Sequence, residues 1–170
     1  MTYVDTNERS LYFPDIKGTA LADGSTKHTT DMLHDRVSII AILTSKVSEE
    51  HTRSFYRQAV ERFSANYNFQ LVQVNLQENA LKAYLLSLFI SSLRKQIPQK
   101  EQPTYLLSQQ NMDPVREKMG MDNKHVGYTY LVGPDSKIRW AGCGFAEPDE
   151  ERALVACAGV LLDRMTATKS

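Results

Sequence analysis

Cysteine is scarce in this sequence, and its two residues, Cys143 and Cys157, are not in CxxC spacing. Two cysteines are too few for a disulfide framework or for a thiolate zinc site, so we expect a reducing compartment. The four histidines lie far apart and have no carboxylate or cysteine partner at ligand spacing. We therefore predict no metal site.

Excess charge of either sign is also missing. Lys plus Arg number 20, as do Asp plus Glu, so the formal net charge is zero. No global positive field is available to gather phosphate backbones, and we expect no nucleic acid partner. The Gly residues form no phosphate-cradling loop and no catalytic signature is present, so we predict no cofactor and no small-molecule substrate.

Long apolar runs and targeting segments are absent as well. The most apolar stretch, residues 80–93, is shorter than the roughly 20 residues that a membrane-spanning helix needs. The first ten residues contain Asp5 and Glu8 and form neither a signal peptide nor an Arg-rich transit peptide. If the protein is imported into an organelle, we expect its presequence to lie outside this sequence.

What is present is the composition of one globular α/β domain. The chain has 170 residues, of which 42% are hydrophobic and 24% are charged, which suits a single domain with one proper core. We predict that residues 13–166 form this domain, preceded by an extension over 1–12 and followed by a tail over 167–170.

The first half of the chain predicts a hairpin followed by a strand, a helix and a strand. Asp23-Gly24 marks the turn of a hairpin between residues 16–21 and 26–30. Residues 37–43 form a β-branched apolar run that is typical of a strand buried on both faces. A helix capped by Ser48 then runs to about Asn66, and a second parallel strand covers 69–75.

The second half predicts shorter elements around a second hairpin. An apolar helix covers 80–93, and Pro98 and Pro103 punctuate the loop after it. The remaining expected elements are an edge strand at 105–107, a helix at 114–119 capped by Asp113, a hairpin of 128–132 with 137–141, and a helix from Pro148 with Leu154, Ala158, Leu161 and Met165 on one face.

This order resembles the thioredoxin fold in its peroxiredoxin-like version, with a mixed central sheet, flanking helices and an N-terminal β-hairpin. Redox members of that fold carry a thiolate at the start of the helix after the first central strand. Residues 43–50 contain no cysteine here, although Ser45 and Ser48 preserve the shape of the site. The position of the usual cis-proline falls on Gly127. Both features predict a protein without redox catalysis.

Cys143 leaves one enzymatic alternative open. Glycines on both sides could expose its sulfur, as in a thiol-dependent oxidoreductase of the peroxiredoxin-like type. We favour a small residue in a tight turn, because no base, helix start or resolving cysteine lies beside it in sequence. Cys157 reads as a small packed residue within a helix.

Three blocks of sequence resemble a known family, the mitochondrial ATP synthase assembly factor called ATPase factor ten. The blocks cover 13–18, 79–85 and a longer stretch from 126 to 147 that includes Tyr130-Leu131-Val132 and the signature residues Arg139 and Trp140. The resemblance implies a chaperone-like assembly factor at the matrix side of the inner membrane, peripheral to it. The implied partner is subunit 6 (subunit a), which it helps to place next to the proteolipid ring. The family implies no catalytic residues.

The helix over 80–93 contains the predicted docking residues. Leu81, Tyr84, Leu85 and Leu88 form the stripe that we expect to pack on the sheet. A second stripe is either covered by the loop that follows or offered to a client or membrane. The candidate docking residues are this second stripe and the cations that follow it: Leu86, Phe89, Ile90, Leu93, Arg94, Lys95 and Lys100.

Arg139 and Trp140 pose a similar choice. Alternation along a strand sends neighbouring side chains to opposite faces of the sheet. We therefore predict that one of the two belongs to the core and the other to the surface. A third functional possibility, a scaffold that serves only oligomerisation, is not separated by the sequence from an assembly factor.

Overall fold

Eight strands form one mixed sheet in the computed structural model, which describes residues 3–4 and 10–168. The strand order across the sheet is β1-β8-β7-β4-β5-β6-β2-β3. The strands are β1 Tyr3–Val4, β2 Lys17–Ala20, β3 Thr26–His28, β4 Val37–Leu43, β5 Phe69–Leu76, β6 Tyr105–Ser108, β7 Tyr128–Val132 and β8 Ile138–Cys143. The predicted extension and tail fall partly outside the described residues, and the domain boundaries stay a prediction.

Helices cover both faces of this sheet. They are α1 Thr29–Leu33, α2 Lys46–Phe63, α3 Ala80–Leu88, α4 Ile90–Gln96, α5 Asp113–Arg116 and α6 Pro148–Thr168, with a 3₁₀ turn at Gln102–Thr104. The predicted α/β class with a mixed sheet and an N-terminal hairpin, β2 and β3, is confirmed.

The centre of the sheet is β4, which pairs with β5 in parallel and with β7 in antiparallel orientation. All seven of its residues are buried, because helices and loops cover both of its faces. On one face α2 and α6 enclose Phe55, Trp140 and Leu154. On the other face the chain between β1 and β2, α1 and the α5 region enclose Phe13 and Tyr130. The sheet therefore separates two apolar cores.

Three predicted element boundaries are wrong. Ser45 rather than Ser48 is the N-cap of α2, and Ser48 is the third helical residue in a capping box with Ser45. The strand at 105–108 is not an edge strand, since it lies between β5 and β2. Met112 precedes α5, so Asp113 is its first helical residue instead of its cap. The error at 105–108 concerns a neighbour in space that the local sequence does not specify, whereas the two caps are displaced by three residues and by one residue within the local sequence.

Smaller shifts affect the helix ends and the second hairpin. α2 ends at Phe63 instead of Asn66, and β8 starts and ends later than expected. The hairpin turn is where Gly133 and Ser136 predict it, with the Ser136 N–H donating to the Gly133 carbonyl at 2.9 Å. Along α6 the fully buried residues are Leu154, Ala158 and Leu162, and the predicted Leu161 and Met165 are half-buried beside them.

Candidate functional site

At the start of α2, where redox members of this fold carry a thiol, this protein has the Ser48 hydroxyl, whose hydrogen-bonding positions are all filled. The Ser48 Oγ accepts the N–H groups of Thr44 and Ser45, both at 2.8 Å, and donates to the Ser45 carbonyl at 2.9 Å. Its one donor and two acceptor positions are all in use, and the side chain is fully buried. Ser48 therefore holds the turn in place and has no free position from which to act as a nucleophile.

Gly127 packs directly against this turn. A Cβ at position 127 would lie 2.2 Å from the Ser48 carbonyl oxygen, which is closer than any real contact. The Gly127 N–H donates to His51 Nδ1 at 3.2 Å, and its carbonyl accepts the Gly144 N–H at 3.1 Å. His51 is thus an acceptor that positions the chain, and its ring meets Phe145 edge-on at 4.5 Å. The close approach explains why glycine stands at this position.

The two thiols lie on opposite faces of the sheet. Cys143 is exposed at the end of β8 and lines a groove of about 610 Å³ with Tyr128 and Tyr130, which belong to the core away from α2. Cys157 is half-buried in α6 against the other core, and burial raises the pKa of its thiol. Cys157 is therefore not placed to resolve an oxidised Cys143.

The groove beside Cys143 is lined by the rings of Tyr128 and Tyr130 and by charged residues, Glu117, Lys118, Asp122 and Arg139. The Tyr130 hydroxyl donates to the Met119 carbonyl at 2.8 Å, and burial raises the pKa of that phenol. The Tyr128 hydroxyl donates to the Asn123 carbonyl at 3.0 Å, so both rings present faces instead of free polar groups. Within residues 10–168 no three His, Cys, Asp or Glu side chains come together as metal ligands.

The predicted docking helix is two helices. α3 and α4 meet at Phe89, whose φ of −110° and ψ of 13° interrupt the helix. Asn79 caps the start of α3, its Oδ1 accepting the N–H groups of Leu81 and Lys82 at 3.0 and 3.1 Å. The prediction of one helix over 80–93 is wrong because periodicity alone does not reveal a one-residue break. None of the described helices is both long and apolar enough to cross a membrane.

The stripe of α3 that we expected to pack on the sheet faces solvent instead. Leu81, Tyr84, Leu85 and Leu88 are 66%, 61%, 47% and 60% exposed, whereas Ala83 is buried. The expectation that this stripe packs on the sheet is wrong. Of the second stripe, Leu86, Ile90 and Leu93 are half-buried, and Ile90 and Leu93 pack against Leu21, Ile97 and Tyr105. Phe89 departs from it and is exposed.

The strand surface below α3 is polar, which explains this orientation. A cavity of about 170 Å³ lies under α3, with Asn75, Gln77 and Ser108 among its lining residues. The Gln77 amide donates to Asn75 Oδ1 at 2.8 Å, and the Asn75 amide donates to the Tyr105 hydroxyl at 3.1 Å. Burial raises the pKa of Tyr105 to about 12. These groups are satisfied among themselves and offer a leucine stripe no apolar partner.

We call the polar surface under α3, formed by Asn75, Gln77 and Ser108, the polar seat. The sequence contains a signal for it. Gln73, Asn75 and Gln77 recur at every second residue, which places them on one face of β5 and its continuation. Gln73 makes a separate contact, its amide donating to Glu101 at 3.1 Å. The whole of Phe69–Leu76 is buried, as predicted for residues 69–75, but that prediction did not use the alternation of these polar side chains. Recognising it would have predicted that the helix above this strand lacks an apolar surface to pack on.

Two of the predicted cations, Arg94 and Lys95, lie in the last turn of α4, and Lys100 lies in the loop after it. Arg94, Lys95 and Lys100 are exposed, and Arg94 Nε donates to the Leu21 carbonyl at 2.7 Å, which ties this side chain to the N-terminal hairpin. Lys82, which the prediction did not include, is exposed on α3 itself. Their role in docking stays a prediction.

The two signature residues lie on opposite faces, as alternation predicts. Trp140 is fully buried and meets Phe55 edge-on with 5.3 Å between ring centroids. Arg139 borders the groove beside Cys143 and forms an ion pair with Asp135 at 2.6 Å. Trp140 therefore belongs to the core, and Arg139 remains partly accessible.

Solved structures with the same architecture confirm the thioredoxin-like fold. The thioredoxin domain of a thiol-disulfide oxidoreductase from Bacteroides vulgatus superposes with a TM-score of 0.60 at 13% identity. The match covers 89% of this chain and 97% of that domain. An identity this low shows the fold alone.

Curated relatives and a family model identify the lineage. The chain is 31% identical over 163 residues to the mitochondrial ATPase complex subunit ATP10 of Saccharomyces cerevisiae, a match that covers 86% of this chain. It is 28% identical over 159 residues to the protein of the same name in Candida glabrata, covering 91% of this chain. The chain spans 58% of the length of each of these relatives. The model of the ATP10 protein family matches residues 5–161, and the chain belongs to that family.

Proposed function

We propose that this protein is a chaperone-like assembly factor for the membrane sector of mitochondrial ATP synthase. In this proposal it assists the incorporation of subunit 6 (subunit a) next to the proteolipid ring, and it carries out no redox catalysis. Family membership and the names of its relatives, mitochondrial ATPase complex subunits, support the process and the compartment. We propose a peripheral position on the matrix side of the inner membrane.

The observation that carries this proposal is the apolar face that α3 turns to solvent. We define the α3 outward face as Leu81, Tyr84, Leu85, Leu88 and Phe89. A contiguous exposed apolar patch marks a surface that meets another molecule or a membrane. The docking residues proposed from sequence shift accordingly: Leu86, Ile90 and Leu93 anchor the helices, while Phe89, Arg94, Lys95 and Lys100 remain at or beside the docking surface.

A thiol-dependent oxidoreductase that uses Cys143 is the competing function. It requires a base, a helix start or a second thiol at the sulfur. The groove around Cys143 is lined by Tyr128 and Tyr130 and also by the charged residues Glu117, Lys118, Asp122 and Arg139. No histidine, helix start or second thiol is among these lining residues, and the assembly role is favoured.

Gene replacement in cells tests both functions at once. Cells that lack the protein should accumulate incomplete ATP synthase on native gels, with newly made subunit 6 outside the complex. The wild-type gene should restore assembly, and so should a variant with Cys143→Ser and Cys157→Ser. Normal assembly in the deletion strain would contradict the assembly role. Failure of the folded double variant would instead favour the oxidoreductase.

A further inference from the structure

The α3 outward face is opposite to the side by which α3 rests on the body. At about 100° per residue, Leu81, Leu85 and Leu88 lie on the side of the helix away from Ala83. Ala83 and Leu86 line the cavity above the polar seat, and Leu81, Leu85 and Leu88 point away from it. α3 is thus an amphipathic helix whose apolar side faces solvent, the reverse of a helix that packs on a core.

Charge is distributed unevenly around this face. Four of the 20 Lys and Arg residues, and none of the 20 Asp and Glu residues, lie between positions 79 and 100. This segment therefore carries a formal charge of +4, and the acids at its two ends, Glu78 and Glu101, bond to Arg116 and to the Gln73 amide. Lys82 is exposed on α3, and Lys95 and Lys100, which follow α3 along the chain, are exposed as well.

We infer that the α3 outward face docks onto the surface of a bilayer that contains anionic lipids, an inference that rests on the membrane location in the proposed function. α3 lies parallel to the membrane plane, since nine residues span only about 13 Å. The leucines and the Phe89 and Tyr84 rings enter the boundary between headgroups and acyl chains. The lysine ammonium groups at the flank pair with lipid phosphates.

The ends of α3 suit a weakly polar environment. The Asn79 Oδ1 satisfies the N–H groups of Leu81 and Lys82, and the Ser87 hydroxyl donates to the Tyr84 carbonyl at 2.5 Å. The Phe89 N–H donates to the Leu86 carbonyl at 2.9 Å. Polar groups near the apolar face thus have partners within the chain, which lowers the cost of placing the helix at the boundary.

The charge pattern favours a membrane over a second copy of the chain. A symmetric dimer through this face would bring the exposed Lys82 of each copy, and the cations that follow α3, toward like charges, which is unfavourable without intervening anions. An anionic bilayer offers both complements, a plane of negative headgroups and an apolar layer beneath them. A protein client on this face is the outcome that the experiment must separate.

Vesicle binding by the purified chain tests the inference. The chain should sediment with vesicles of phosphatidylcholine and about one third phosphatidylglycerol, and at least about tenfold less with phosphatidylcholine alone. Leu85→Ser with Leu88→Ser should reduce binding to the anionic vesicles about tenfold or more while the melting temperature stays the same. The matched control is Val160→Ser, which removes an exposed aliphatic side chain from α6 and should bind like wild type.

A fluorescence measurement locates the contact. Leu88→Trp should shift its emission to the blue on anionic vesicles and be quenched by brominated acyl chains, while Val160→Trp should show neither change. The native Trp140 is fully buried and contributes a constant background. The inference would be overturned if the wild-type chain did not bind the anionic vesicles. It would also be overturned if the variant with Leu85→Ser and Leu88→Ser bound them as well as wild type does. A third contradicting result would be a photo-crosslinker at Leu88 that captures subunit 6 while Leu88→Trp remains unquenched by lipid.

The outcome is separable from that of the proposed function. Vesicle binding needs no other mitochondrial component, so its failure leaves the gene-replacement result untouched. Normal ATP synthase assembly in the deletion strain would contradict the assembly role and leave the lipid measurement standing. In cells, the variant with Leu85→Ser and Leu88→Ser should no longer sediment with the membranes. The variant with Cys143→Ser and Cys157→Ser should still do so.

Discussion

Two residues at the hairpin of β7 and β8 set the packing against α2. Gly127 lies against the backbone of Ser48, and Trp140 fills the core between the sheet and α2. Gly127 also donates its N–H to His51 Nδ1, beside the turn where redox members of this fold carry a thiol. Trp140 meets the Phe55 ring edge-on in the core under α2.

Gly127→Ala should destabilise the protein by about 1–3 kcal/mol, because the added Cβ would overlap a carbonyl held in a helix. Urea unfolding measures this difference. Gly159→Ala is the matched control: its Cβ would meet nothing closer than Phe63 at 3.5 Å, and α6 should gain up to about 1 kcal/mol from the better helix former. Equal stability of Gly127→Ala and wild type would show that the loop moves away from α2 at little cost.

Trp140→Ala should lower the free energy of unfolding by about 3 kcal/mol or more, since it empties a fully buried site beside Phe55. Arg139→Ala should cost less than about 1 kcal/mol, because its ion pair with Asp135 is partly exposed. We expect Arg139→Ala to impair ATP synthase assembly more than stability. Thermal and urea denaturation that reversed the order of the two variants would contradict the face assignment.

At the scale of elements, the break at Phe89 divides one apolar segment into two helices with different roles: α4 packs on the body of the protein, and α3 exposes its apolar side. α4 is held by Ile90 and Leu93 against Leu21 and Tyr105, and α3 extends from it over a polar seat. α3 therefore has few apolar contacts with the body, and its leucines remain available.

Substitutions of the two neighbouring residues at the break should separate the packing of α4 from the docking by α3. Phe89→Asp should leave the melting temperature nearly unchanged, since the side chain is exposed, while reducing membrane association. Ile90→Ser should lower the free energy of unfolding by about 1–3 kcal/mol, because Ile90 packs against the small core of Leu21, Ile97 and Tyr105. Calorimetry of the two single variants, with membrane fractionation, checks both expectations. A large loss of stability in Phe89→Asp would mean that Phe89 is covered in solution.

At the scale of the whole molecule, the sheet separates its two main apolar cores and the two thiols. The tyrosines within this frame make its stability depend on alkaline pH. Burial raises the pKa of Tyr105 to about 12, and burial also raises the pKa of Tyr56. Their neutral phenols are favoured by the folded state.

Stability should fall as the pH rises from about 10 toward 12. The unfolded chain loses the Tyr105 proton first, near its ordinary pKa of about 10, and the folded chain near 12, so this contribution is complete below about 10 and lost by about 12. The loss should be about 2 kcal/mol. Tyr105→Phe should flatten the difference between unfolding free energies at pH 9 and pH 11, measured in urea. Parallel pH profiles for wild type and variant would contradict the assignment.

The order of the remaining strands and helices followed from local sequence, whereas β1, α1 and the division into α3 and α4 were not predicted. The absence of a thiol at the start of α2 and the alternation of Arg139 and Trp140 also followed from local sequence. β-branched runs, hairpin turns and helix starts depend on neighbours within a few residues, so residues 37–43 and the turn at 133–136 were predictable. The family blocks were also present in the sequence. Tertiary structure decided which partners those elements meet.

The exposed side of α3 depends on how the chain turns back over Asn75 and Gln77 at the end of β5, and the break at Phe89 accompanies the packing of Ile90 and Leu93 against Leu21 and Tyr105. Likewise, Tyr105 is interior because β2 joins its strand from far away in sequence. Periodicity reveals that a helix has an apolar side, but the surface beneath that helix determines whether this side is buried, and here that surface is already satisfied by its own hydrogen bonds.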